Sequence, residues 1–146
     1  MKNLRLYHIP IAYMLVYVLA ILATGIWLFL LSQGLASSDI FGTVEQIVLA
    51  PKAKSFHSFI EVATPHMFAM GTVIFLATHF MLFSTKISKK LSLLVSMLLF
   101  TLAFFNILAY LFISFGLVVS GWIKLLSLSL FVLVFLGIIA MLTFSL

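Results

Sequence analysis

Four long apolar runs organise the chain: Ile9 to Leu31, Ile60 to Phe83, Leu91 to Ile113 and Trp122 to Phe144. Each is long enough to cross a bilayer core about 30 Å thick, which takes about 20 mostly apolar residues in helical form. Short polar joints separate them. The joint after the second run is "STKISKK", and the longest runs from Ser32 to Phe59. The pattern predicts an all-α membrane protein: a four-helix transmembrane bundle, up-down-up-down, occupying 1–146 as one domain. The first run starts after Lys2 and Arg5 like a secretory leader, but its apolar stretch is too long for one. It reads as a retained helix.

The long joint carries a pattern of its own. Ser38 and Asp39 are N-cap residue types. Ile40, Phe41, Val44, Ile47 and Val48 then recur at helical spacing, with Glu45 and Gln46 on another face, until Pro51. Two forms fit residues 39–50: a short amphipathic helix on the outer surface, or a hydrophobic loop packed over the bundle.

Composition agrees with the pattern. Of 146 residues 65% are hydrophobic and 8% charged, and there is no cysteine. The missing thiols exclude disulfides, iron–sulfur clusters and covalently attached c-type haem. The formal net charge is +5, yet the basic residues sit at span ends, so they act as topology signals and not as a nucleic-acid surface. Lys2, Arg5, Lys86, Lys89 and Lys90 share one side. Lys52, Lys54 and Lys124 face the other, with Asp39 and Glu45. The bias places both termini in the cytoplasm and Glu61 at the outer mouth of the second span.

That span holds the candidate chemistry. His66 and His79 are thirteen residues apart, or roughly 19.5 Å along a helix and roughly 140° around it. They form two sites, and no single metal ion can bind both. An ionisable group at membrane depth is a functional candidate by default. One or two b-type haems, each with an axial imidazole in a slot between helices, fit this placement. His8 and His57 are the only histidines left to pair with His79 and His66, with Met97 and Met141 as further options on the inner side. The alternative is an outer copper or zinc site at His57, Glu61, His66 and Met70. A third reading has the histidines as interhelical hydrogen bonds in a structural subunit. Thr64-Pro65 either kinks the helix or marks its start at Pro65. Asn106 reads as an interhelical hydrogen-bonding residue, and Ser127 and Ser129 as serines bonded to their own backbone.

Lys54-Ser55-Phe56, Glu61, His66, Phe68, Met70 and His79 resemble a family of small bacterial inner-membrane proteins of four spans. The second helix of that family carries Glu, a His-x-His pair, Phe-x-Met and a later His. In this chain Thr64 takes the place of the first His of the pair, which weakens a metal site there. The thirteen-residue spacing is also similar, as spacing alone, to that of two-haem cytochromes b. The resemblance implies the four-span fold and the bacterial inner membrane, and it implies no activity. With no nucleophile–base pair and no paired carboxylates at depth, the chain reads as no enzyme by itself. The expectation is a haem-b electron-transfer or quinone-associated subunit, in contact with lipid and with a larger redox partner or with further copies of itself.

Overall fold

The computed structural model describes residues 8–32, 35, 39–51, 55–84 and 86–145, of which the Phe83 side chain is left aside. They form five helices: α1 (His8–Ser32), α2 (Ile40–Leu49), α3 (Phe56–Phe83), α4 (Lys89–Ser114) and α5 (Trp122–Ser145). Among these residues there is no strand. α1, α3, α4 and α5 are long and apolar enough to span a membrane, and they match the four runs. Lys2, Arg5, Gly34, Ala36, Ser38, Lys52 and Lys54 lie outside the described set.

Caps fix several starts. Asp39 accepts the Gly42 amide at 2.7 Å and opens α2. Ser55 accepts the Ser58 amide and opens α3, and Ser88 accepts the Leu91 amide and opens α4. Each satisfies an amide that the first helical turn leaves without a backbone partner. The cap at Ser55 settles the place of Pro65. The second span begins at Phe56, and Pro65 stands inside a continuous helix. The start at Pro65 is therefore not the one the chain takes. Pro65 has no N–H to offer the Glu61 carbonyl one turn back, and it lies on an exposed face.

α5 is the hub. Its buried residues Lys124, Ser127, Phe131, Phe135, Ile138 and Leu142 recur every three to four positions, one stripe of a helix. α4 packs along most of its length, through Leu99, Ala103, Asn106 and Ala109 among others. α3 lies against α4 and adds Ile74, Ala77 and Met81 to the core. α1 meets α5 and buries only Leu15 and Val18.

α2 resolves the two forms open for residues 39–50 by combining them. It is a helix capped by Asp39, and it also packs on the bundle, with Thr43 and Ile47 buried. Gly121, just before α5, makes this possible. Its amide donates to the Val48 carbonyl at 3.1 Å, and the Ser120 hydroxyl donates to the same oxygen at 3.1 Å. A Cβ on Gly121 would run into the backbone carbonyl of Ile47. At the other end of that connection Gly116 has φ +69°, a left-handed conformation that closes α4.

Gly121→Ala is expected to destabilise the protein by about 1–3 kcal/mol, the usual cost of overpacking. Gly25→Ala on α1 is the control. A Cβ there meets no atom within 4 Å, and losing a helix-interior glycine stabilises by up to about 1 kcal/mol. Denaturant unfolding of both variants in micelles, read by helical signal, checks the contrast in sign.

A buried lysine and a lateral cavity

Lys124 sits one turn into α5 with 9% of its surface exposed. Its Nζ donates to the backbone carbonyl of Asn106 at 2.8 Å and to Asn106 Oδ1 at 2.7 Å. The Ser127 hydroxyl lies 3.4 Å from the same Oδ1 and donates to the Lys124 carbonyl at 3.0 Å. Two rings flank the ammonium: Phe29 of α1, with its centroid at 5.5 Å, and Tyr110 of α4, at 5.9 Å. Both distances fall within cation–π range. Among the described residues no carboxylate reaches Lys124; their one ion pair is His57 with Glu61, 3.3 Å apart and largely exposed.

Beside this cluster is a cavity of about 530 Å³ bounded by α1, α3, α4 and α5. Its walls are mainly apolar, including Leu22, Val62, Ile107 and Phe131. Its polar groups include His66, Asn106, Tyr110 and Lys124, with Met70 and Gly25 also on the lining. An aromatic row runs toward it from the α2 end. Phe115 stacks on Phe56 at 5.9 Å, Phe56 on Phe59 at 6.4 Å, and Phe59 on Tyr110 at 6.2 Å.

The expected site residues divide between the two ends of the bundle. His66 and Met70 stand together on the cavity wall. His57 is outside the cavity, beside Glu61. His79 is exposed near the opposite end of α3, stacked on Phe75 at 5.5 Å, and it does not line the cavity. His8 is half-buried at the start of α1. Met97 is exposed, and Met141 packs against the core. Among the described residues no three His, Asp or Glu side chains gather as a metal ion requires.

Asn106 makes the interhelical bond its position suggested, and Ser127 bonds its own backbone as expected. Lys124 is a correction. In the sequence it ranks with the span-end charges that set topology; in the structure it is buried against Asn106. It stands two residues inside the Trp122–Phe144 run, where a lysine reads as a span-end charge. Two signs were available. Ser127 follows at i+3, and Asn106 stands eight residues before the end of the neighbouring antiparallel helix, within reach of a long side chain.

A family model of a transmembrane helical domain, Aq_1264_TM, matches residues 41–146. The chain belongs to the Aq_1264_TM family. No curated protein and no solved structure matches it. The Aq_1264_TM match takes in nearly all of α2 and the whole of α3 to α5, and α1 falls outside it. His66, Asn106 and Lys124 thus lie within the matched residues, whereas Phe29 and Gly25 lie on α1, outside them.

Asn106→Leu is expected to cost about 3 kcal/mol, because it takes the side-chain oxygen from a buried ammonium and leaves it only the backbone carbonyl. A plain interhelical hydrogen bond in a membrane is worth only about 0.6–2 kcal/mol. Adding Lys124→Met to Asn106→Leu should recover most of the loss. A double-mutant cycle in micelles measures this, and simple additivity of the two single losses would show that the pair does not couple.

Proposed function

We propose that this protein is a non-catalytic binding subunit of the bilayer whose lateral cavity holds a lipophilic ligand. One observation carries the reading: a cavity of about 530 Å³, with apolar walls at membrane depth, has a few polar groups converging on it. Pockets of roughly 300–1,000 Å³ with that make-up are the usual form of small-molecule sites. Inside a membrane bundle a buried lysine that no described carboxylate meets is costly, and such a residue is a functional candidate.

A haem b remains a second reading, supported by the place of His66. The residues on the cavity wall suit one such group. His66 would ligate the iron, and Lys124 would meet the acidic edge of the macrocycle. Bound there, a haem would supply one-electron transfer to a larger membrane redox partner. His79, outside this cavity, has no part in that arrangement. The outer copper or zinc alternative keeps only the exposed His57–Glu61 pair and is the least supported.

The location we propose is the bacterial cytoplasmic membrane with both termini inside. Burial of Lys124 strengthens the charge argument. It removes a basic residue from the opposing loops and leaves Lys52 and Lys54 against Lys2, Arg5, Lys86, Lys89 and Lys90.

Gly25→Phe tests the cavity reading, since the new ring enters open space on the cavity wall. Organic extracts of purified wild type should contain a lipophilic molecule near one per chain by mass spectrometry, and extracts of Gly25→Phe should contain several-fold less. Equal content in a folded variant would sink the reading. The haem version predicts a reducible α-band that His66→Ala removes; a colourless wild type retires haem and leaves the cavity reading standing.

A further inference from the structure

The Lys124–Asn106 pair on the cavity wall is unbalanced in one direction. An ammonium has three N–H donors. Lys124 uses two, both on Asn106, and among the described residues no acceptor takes the third. The Asn106 side chain is oriented by the same contact, because its oxygen must face the ammonium. That leaves its amide nitrogen, with two N–H donors, on the other side. Asn106 is only 4% exposed and lines the cavity, and its Nδ2 donates to no described residue. The cluster therefore offers donors and a positive charge beside a lipid-depth cavity, with its strongest acceptor, Asn106 Oδ1, already used twice. A ligand that completes it has to accept hydrogen bonds and carry negative charge.

The surroundings narrow the ligand further. The rings of Phe29 and Tyr110 stand 5.5 and 5.9 Å from Lys124 Nζ. Two rings this close crowd the nitrogen and favour an acid carried at the end of a slender molecule. A phosphodiester lipid carries its acid in the middle, with glycerol and two chains on one side and a headgroup on the other. A free acyl chain carries its carboxylate at the tip.

We infer that the cavity takes a lipophilic monocarboxylate, a single unesterified acyl chain, whose carboxylate accepts from Lys124 Nζ and Asn106 Nδ2 while its chain lies along the apolar wall toward Val62 and Leu22. The inference rests on the cavity reading above and adds the ligand's charge and shape. Lys124 and Asn106 recognise the acid, and the aromatic pair limits the width of what approaches it. The ligand supplies a counter-ion that no described residue provides, so binding and neutralisation of the buried lysine are one event.

The test uses the full chain, stripped of bound lipid, in micelles. Palmitate, methyl palmitate and dioleoyl phosphatidylglycerol each compete against a fluorescent polyene fatty acid. Palmitate is expected to displace the probe, with the methyl ester about tenfold weaker or more, the effect of one lost charge-assisted hydrogen bond. The phospholipid should compete no better than the ester. Lys124→Gln should weaken palmitate by a similar factor and leave the ester unchanged. Should Lys124→Gln fail to fold, the acid-against-ester comparison on wild type still decides. Equal binding of acid and ester, or preference for the phospholipid, overturns the monocarboxylate assignment. If Gly25→Phe then abolishes binding of either, the cavity reading survives that failure. Palmitate binding that a folded Gly25→Phe leaves intact overturns both.

Discussion

A positive charge shut away from solvent inside the protein is the constraint on which this end of the bundle depends. In hydrocarbon every polar group has to be met from within the protein. Lys124 is met by one residue twice, through the backbone carbonyl and the side-chain oxygen of Asn106. That contact ties the start of α5 to the later part of α4 at one register, because sliding by a turn would separate the ammonium from both oxygens. The Ser127 hydroxyl and the rings of Phe29 and Tyr110 complete the shell. α1, α4 and α5 thus converge on one nitrogen or its immediate partners, and together with α3 they bound the cavity.

The remainder is built on packing. Lipid tails are as apolar as the helices, so burial of leucine gives little preference for one helix face over another. The faces that do meet are marked by small or polar residues. Ala103, Asn106 and Ala109 let α4 approach α5, and Ala77 does so on α3. Phe131 and Phe135, stacked at 5.6 Å, fill the middle of α5. Outside the membrane-crossing parts the decisive contact is between backbones, with Gly121 against α2.

Element positions were legible in the sequence because bilayer thickness dictates run length and capping residues mark the starts. Asp39 and Ser55 are cases where a side-chain oxygen in the chain becomes a cap in the structure. Facing was not legible, since helices that are apolar all round carry no periodic signal. The site was half legible. A histidine stands out in any apolar run, so His66 was found, and so was its distance from His79. Lys124 was hidden by its address. A lysine two residues past the start of an apolar run looks like a loop charge, and only its three-dimensional partner, eighteen positions earlier, gives it another meaning.

The division of the cavity between two parts of the chain has an evolutionary side. Residues 41–146 contain the charge, its amide partner and His66. α1 contributes one wall and little of the core, with Leu15 and Val18 its buried residues. If the cavity binds as proposed, the wall that α1 supplies can vary while the packing among α3, α4 and α5 stays as it is. A helix that buries so few residues is the natural place for an engineer to reshape the cavity without rebuilding the bundle.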